Sequence, residues 1–277
     1  MGSVLVQAVP QWQGATWAGA DVRLPTGCRV LAALASEVLG VPVREVPVRA
    51  EGTSTVDNIG NRAALVANRQ AQLTALEEPE GPVLTLGGDC AVELVPVGVA
   101  RYRHGAGLGA VWFDAHADSN TAASSPSGAF HGMVLRSLLG DGDPEFAASP
   151  PLAPGHAVLV GTRAFDPAER QAVADGLLRH VPVPAEPDAV ADAVTGSGAT
   201  KVYLHIDLDV LDPGQHGPLM RYHEPGGLSV EQLVAGIESL ARFDVVGAGI
   251  TECAASQRRD VEALVPVLQA VSRLLAD

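Results

Sequence analysis

The chain has 277 residues, of which 47% are hydrophobic, and this is enough for a large buried core in one α/β domain over residues 1–277. A formal net charge of −14 argues against nucleic acid or an anionic membrane as a partner, whereas it is compatible with a small cationic substrate. The three cysteines have no disulfide or CxxC spacing, and no apolar run reaches about 18 residues, so we expect a cytoplasmic protein without a membrane span.

Short β-rich segments alternate with helical patterns along the chain. Strands are predicted at residues 4–9, 41–48, 83–86, 110–113, 157–160, 180–183, 202–206 and 245–251. Helices are predicted at residues 27–39 and 58–76, directly after Cys90, and at residues 167–178, 188–194, 229–242 and 260–275. This alternation predicts a three-layer αβα sandwich with a mainly parallel sheet of about eight strands.

An alternating polar motif, DAHAD, follows the predicted strand at residues 110–113. In an extended backbone Asp114, His116 and Asp118 project to the same side. Two carboxylates and an imidazole on one side are costly to bury unless a cation lies among them. The motif therefore indicates a metal site. The alternative is that Asp114 ends a strand, His116 is a satisfied buried histidine and Asp118 caps a loop.

A second acidic pair, Asp207 and Asp209, follows the predicted strand at residues 202–206. If the two strand ends lie side by side, four carboxylates and a histidine converge. Such a density of negative charge is tolerable only around one or two divalent cations. The two motifs together favour a binuclear metal site.

Several ordered motifs resemble those of the ureohydrolase superfamily, which contains the arginases and agmatinases. The motifs are LGGDC at 86–90, DAHAD at 114–118, HGM at 131–133, HIDLD at 205–209 with DP at 212–213, and a late glutamate, Glu252, in GAGITECAAS. The resemblance covers most of the chain, and the order of the motifs makes it specific. It implies an arginase-like fold and two divalent metal ions, with Mn²⁺ the usual choice.

The resemblance also implies which residues hold each ion. One ion would be held by Cys90, Asp114, Asp118 and Asp207. The other would be held by His116, Asp114, Asp207 and Asp209, so that Asp114 and Asp207 bridge the pair. Carboxylate-rich ligation suits Mn²⁺. Two cations about 3.5 Å apart can share a water and lower its pKa, which supplies a hydroxide nucleophile near neutral pH.

Cys90 stands where the family usually has a histidine. Because a thiolate is a softer ligand than an imidazole, it favours Zn²⁺ or Fe²⁺ relative to the usual site. A cysteine here resembles the branch that contains the Nω-hydroxy-L-arginine hydrolase of D-cycloserine biosynthesis, which implies a role in antibiotic biosynthesis. The alternative is an inert buried thiol, with one metal lost.

By the same resemblance, the catalytic residues are His131, Glu252 and the metal ligand Asp118. His131 would shuttle a proton to the leaving amine, a role that fits an imidazole titrating near neutrality. Glu252 would pair with the guanidinium and hold its carbon over the hydroxide. Taken singly, these two could instead be a loop histidine and a glutamate that ends a strand.

Four further residues match substrate-binding positions of the family. Asn120 and Ser127 match contacts to an α-carboxylate, Asp166 matches a contact to an α-amino group, and Glu169 follows at the expected spacing. An α-amino acid head group is therefore favoured over agmatine, which has no carboxylate. The segment MRYHEP at residues 220–225 differs from the family's ATGTPV, so the pocket wall beside the guanidine end is altered.

These observations predict a manganese-dependent ureohydrolase acting on a small guanidino amino acid. Nω-Hydroxy-L-arginine would give hydroxyurea and L-ornithine, and L-arginine would give urea and L-ornithine. The alternatives are an agmatinase, a formimidoylglutamase or another guanidino-acid hydrolase, and a non-catalytic binding module with the same fold. The resemblance also allows a homo-oligomer, since the family often forms trimers or hexamers.

Overall fold

Eight strands form one sheet in a computed structural model that describes residues 4–77, 81–183 and 186–276. The strands are β1 (Leu5–Val9), β2 (Val43–Glu45), β3 (Val83–Gly87), β4 (Leu108–Phe113), β5 (Ala157–Val160), β6 (Leu178–Val181), β7 (Lys201–Asp207) and β8 (Asp244–Thr251). Their order across the sheet is β2-β1-β3-β8-β7-β4-β5-β6, and every neighbouring pair is parallel.

Helices cover both faces of this sheet. They are α1 (Ala20–Leu39), α2 (Arg62–Ala75), α3 (Leu94–His104), α4 (Val134–Leu138), α5 (Pro167–Ala174), α6 (Pro187–Ser197), α7 (Pro213–His216), α8 (Val230–Glu238) and α9 (Val265–Ala276). Side chains alternate along each strand, so Val111 and Phe113 pack with α1, α6, α8 and α9, while Trp112 packs in the layer of α2, α3 and α4. The predicted three-layer αβα fold is confirmed.

The main differences from the predicted elements lie at their ends. Helix α1 begins before the predicted residue 27, with Pro25 inside it, and β2 is shorter than predicted. Helix α2 begins after Asn58 and Asn61, whose positive φ angles of 59° and 55° are incompatible with a right-handed helix. Helix α5 ends at Ala174 because Gly176, with φ 74°, turns the chain into β6.

The predicted functional motifs all lie at one edge of the sheet. Strands β3, β8, β7 and β4 are consecutive neighbours, and each motif lies at the carboxyl end of one of them or in the segment that follows it. In open parallel sheets, ligands bind in the crevice outside the carboxyl ends of the strands. Within the described ranges, no helix is long and apolar enough to cross a membrane.

Candidate metal centre and active site

Four neighbouring strands bring the predicted metal ligands together. Cys90 follows β3, Glu252 follows β8, Asp207 ends β7 and Asp114 follows β4. The next residues of two of these segments extend the cluster, with the peptide N–H of Asp209 donating to Asp207 Oδ1 over 2.7 Å. Residues far apart in the sequence thus converge because parallel strands end at a common edge.

Three groups of side chains in the described structure have ligand atoms within 4.8 Å of one another. The groups are Cys90 with Asp114, Asp118 and His205; Cys90 with Asp207 and Glu252; and Asp114 with His116 and Asp209. All six predicted ligands belong to at least one group. The division of these ligands between two ions, and the bridging roles of Asp114 and Asp207, stay predictions.

Cys90 lies at the buried bottom of the centre and is 1% exposed. Its Sγ is 3.2 Å from Asp207 Oδ2 and 3.2 Å from Thr251 Oγ1. Burial, followed by the charge of Asp207, raises the pKa of the thiol well above its ordinary value. Cys90 is therefore a neutral thiol unless a cation stabilises its thiolate.

His116 supplies positive charge to the acidic cluster. Its Nδ1 is 3.0 Å from Asp209 Oδ2 and 3.5 Å from Asp114 Oδ1. Burial opposes the charged imidazole, but Asp209 and Asp114 together raise the pKa of His116 far above its ordinary value. The two carboxylates therefore favour a protonated His116, and a bound cation would compensate their charge instead.

Despite His116, burial and mutual repulsion raise the pKa values of three carboxylates in the centre. Burial, and then the charge of Asp209, raises the pKa of Asp114 to about 7 and that of Asp207 well above its ordinary value. The pKa of Asp118 is also raised, by burial and then by the charge of Asp114. Asp118 Oδ2 is buried without a hydrogen-bond partner. Closely spaced buried carboxylates, whose charged forms are disfavoured by burial and by mutual repulsion, are the pattern that divalent cations relieve. The side chains present therefore fit the metal ions implied by the sequence.

Two residues of the centre adopt a left-handed backbone conformation. Asp118 has φ 48° and Glu252 has φ 58°, a region that costs a non-glycine residue about 1–3 kcal/mol. Hydrogen bonds hold both in place, since Leu135 N donates to Asp118 O over 2.9 Å and Glu252 N donates to Gly88 O over 2.7 Å. Strain of this kind is typical of functional sites, where it fixes the direction of a side chain.

A cavity of about 230 Å³ lies directly above the carboxylates. Its walls are formed by His116, Asp118, Asn120, Ser125, Ser127, His131, Gly132, Asp166, Glu169, Asp207, Asp209, Tyr222 and Glu252. The predicted catalytic and substrate-binding residues therefore all face the same space. Their individual roles stay predictions.

His131 and Glu252 form a pair on one wall of the cavity. The distance from His131 Nδ1 to Glu252 Oε1 is 2.8 Å, and the same oxygen accepts a hydrogen bond of 3.2 Å from Cys90 N. Burial opposes the charged form of His131, but Glu252 raises the pKa of the imidazole above its ordinary value. Glu252 Oε2 is buried without a hydrogen-bond partner and is available to a ligand donor.

Another part of the cavity wall carries the predicted substrate contacts. Asn120 Nδ2 donates to Asp166 Oδ2 over 2.8 Å. Ser127 Oγ accepts from Ala129 N over 3.2 Å. The Glu169 carboxylate accepts hydrogen bonds from the backbone N–H groups of Ser119 and Asp166, at 3.0 and 2.9 Å. It therefore connects the two segments that carry these residues.

Four residues of the centre and its cavity were not among the predicted site residues, namely Ser125, Gly132, His205 and Tyr222. His205 lies two residues before Asp207 on β7, so strand alternation places both on one face and could have revealed it. Tyr222 lies in the segment 220–225, and its ring is edge-on to that of His116, with 5.4 Å between the centroids. Its position in the cavity wall depends on the path of a long loop, which no local pattern specifies.

A parallel αβα sheet with buried carboxylates, a thiol and imidazoles at its central strand ends defines an α/β protein with a candidate centre for divalent cations. The sequence profile of the arginase family matches residues 10–272, and the chain belongs to this family. The resemblance seen in the motifs is thereby confirmed. The family consists of guanidino hydrolases that depend on a pair of metal ions.

Several known proteins are similar to the chain. The N(omega)-hydroxy-L-arginine amidinohydrolase of Streptomyces lavendulae is 32% identical over 216 residues, which cover 76% of this chain and 75% of that protein. The arginase of Bacillus caldovelox is 34% identical over 176 residues, 59% of this chain and 58% of that arginase, so the match spans less than two thirds of its length. The native structure of that arginase superposes with a TM-score of 0.83 at 24% identity, covering 100% of this chain and 99% of the other.

Proposed function

We propose that the protein hydrolyses the guanidino C–N bond of an α-amino acid, either Nω-hydroxy-L-arginine or L-arginine. The observation that carries this proposal is the cavity, which joins the candidate metal centre and the His131–Glu252 pair to the Asn120–Asp166 wall. The products would be L-ornithine with hydroxyurea from the hydroxylated substrate, or with urea from L-arginine.

The guanidino end would lie against Glu252. The unpartnered Oε2 of this carboxylate can accept hydrogen bonds from the guanidinium, and the fixed backbone of Glu252 gives those bonds a defined direction. The predicted contacts of the α-carboxylate and the α-amino group line the same cavity. Agmatine lacks the α-carboxylate and would leave the contacts at Asn120 and Ser127 unused.

Cys90, Asp114, Asp118, His116, Asp207 and Asp209 would hold the two divalent ions, as the sequence predicts. Such ions, when bound, lower the pKa of water toward neutrality and provide a nucleophile for the guanidino carbon. Manganese is the ion we propose, while the Cys90 thiol also suits zinc or ferrous iron.

His131 would handle the proton of the leaving group. Water adds oxygen to the guanidino carbon, the bond from that carbon to the ornithine nitrogen breaks, and this nitrogen must gain a proton. His131 lines the cavity, and its pairing with Glu252 favours the protonated imidazole that such a step needs. Glu252 would thus hold the substrate and keep the proton donor charged.

Three observations favour the hydroxylated substrate. Cys90 replaces the histidine usual in the family, and the relative that covers 76% of this chain is an N(omega)-hydroxy-L-arginine amidinohydrolase. In addition, Tyr222 contributes a phenol to the cavity beside His116, which offers a hydrogen-bonding group near the guanidine end.

The test is a parallel assay of purified, manganese-loaded protein with Nω-hydroxy-L-arginine, L-arginine and agmatine. Release of ornithine is measured for the first two substrates and release of putrescine for the third. We expect the highest kcat/KM with Nω-hydroxy-L-arginine and the lowest with agmatine. Absence of turnover with both amino acids, in protein shown to contain metal, would refute the proposed activity.

A further inference from the structure

His205 lies in the interior of the sheet. It lies on β7 between Trp112 of β4 and Gly249 of β8 in the same transverse row, and it is completely buried. Its ring stacks on that of Trp112, with 3.6 Å between the centroids and 16° between the planes. The stack fixes the orientation of the imidazole, so the direction of its nitrogens is set by the fold.

Both nitrogens of His205 are poorly satisfied by the protein. Nε2 lies 3.8 Å from Cys90 Sγ and 3.9 Å from Asp114 Oδ2, and the second distance is too long for a hydrogen bond. Nδ1 is buried without a hydrogen-bond partner. Buried polar atoms normally have partners, so an imidazole in this state indicates an absent ligand. Nε2 faces the group that also contains Asp118.

A carboxylate stands behind the imidazole. Glu93 Oε2 is 3.7 Å from His205 Nδ1, and both side chains are completely buried. Space for Glu93 depends on a glycine in the sheet, because a Cβ on Gly249 would lie 2.0 Å from Glu93 Oε1. Metal-binding histidines commonly donate their second ring nitrogen to a carboxylate, which fixes the tautomer and the ring orientation. Gly249 thus leaves the space in which Glu93 lies beside His205 Nδ1.

We propose that His205 is a metal ligand through Nε2, in the group formed with Cys90, Asp114 and Asp118, and that Glu93 is its positioning residue. The imidazole that the family usually carries at position 90 would then come from β7 instead. This inference rests on the proposed function, because it takes the divalent centre of that function as given.

The proposal predicts that the effect of a substitution at position 90 on metal binding depends on the residue at position 205. Cys90 Sγ already lies 3.2 Å from two oxygen atoms and 3.8 Å from His205, so a larger imidazole at position 90 has no room while His205 is present. The substitution Cys90→His alone should therefore weaken metal binding. Combined with His205→Ser, it should bind metal more tightly than His205→Ser alone, because one imidazole is restored.

The direct test uses the wild-type protein loaded with ¹¹³Cd²⁺ and labelled with ¹⁵N-histidine. We expect a cadmium–nitrogen coupling at Nε2 of His205 in the NMR spectrum. If the protein binds cadmium in the centre but His205 shows no coupling, the inference is wrong and the proposed function stands. If the protein binds neither cadmium nor manganese, both are wrong.

Metal affinity of variants provides the second test. Competition with a chelator is expected to show at least 100-fold weaker manganese binding for His205→Ser and about 10- to 100-fold weaker binding for Glu93→Gln, the range typical of residues that support a ligand. The control His104→Gln changes a histidine at the end of α3 and should leave the affinity unchanged. An unchanged affinity in His205→Ser, or no recovery in the double variant, would overturn the proposal.

Discussion

Replacing Gly27 by alanine is expected to lower the free energy of unfolding, although alanine ordinarily stabilises a helix. Gly27 is buried in α1, and a Cβ at this position would lie 1.8 Å from the carbonyl oxygen of Cys253. An ordinary contact begins at 3.4 Å, so the helix or the segment after β8 must move by about 1.6 Å. Overpacking typically costs about 1–3 kcal/mol, which exceeds the gain of about 0.5–1 kcal/mol from removing a helical glycine.

The same substitution should also impair the proposed reaction. Cys253 directly follows Glu252, so a displaced Cys253 moves the carboxylate that pairs with His131. A misplacement of about 1 Å can lower the rate by about 100-fold. We therefore expect kcat/KM to fall by a factor of about 10 to 100 in Gly27→Ala, with both metal ions retained.

Gly98 provides the matched control, since it lies inside α3 and a Cβ there meets no atom within 4 Å. Gly98→Ala should raise the free energy of unfolding by about 0.5–1 kcal/mol. Urea denaturation of the wild type and both variants, followed by circular dichroism, measures the difference. If Gly27→Ala is as stable as Gly98→Ala, the argument from close packing against Cys253 is refuted.

Three further substitutions test the proposed site. Asp207→Ala should lose both metal ions, because a bridging ligand serves two sites; elemental analysis showing two ions would contradict the bridge. Glu252→Gln should lower the pKa of His131 in a histidine NMR titration of metal-free protein. Because the pKa of His131 is raised in the folded state, the variant should lose most free energy of unfolding at acidic pH, and this loss should shrink as the pH rises through the folded-state pKa. A loss that does not depend on pH would contradict the pairing. Asn120→Ala should raise KM for L-arginine by about 10-fold, as expected for one lost hydrogen bond to a charged group, and leave KM for agmatine unchanged; equal effects on both substrates would contradict a carboxylate contact.

Much of the site could be predicted because its ligands follow apolar strands in recognisable motifs. The alternation of Asp114, His116 and Asp118, and the pair Asp207 and Asp209, define one edge of the sheet without any knowledge of strand order. The strand order itself could not be predicted, since the position of β8 between β3 and β7 depends on contacts between distant segments.

The residues that position the ligands of the centre were harder to predict from the sequence than the ligands themselves. Glu93 and Gly249 are unremarkable in the sequence, and only the packing of α3 over β8 shows that one makes room for the other. His205 could have been inferred from its spacing to Asp207, but its proximity to Cys90 depends on the strand between them. Boundaries were missed where single residues adopt a positive φ, as at Asn61 and Gly176.

The position of β8 has a bearing on synthesis of the protein. In the sheet order, β8 separates the strands β2-β1-β3 from the strands β7-β4-β5-β6, so a chain that ends before residue 244 would leave β3 and β7 each without a neighbour on one side. Exposed borders of this kind invite pairing with other chains. We therefore expect the unfinished polypeptide to be prone to aggregation until β8 pairs with β3 and β7, and the same pairing brings Glu252 into the cavity wall.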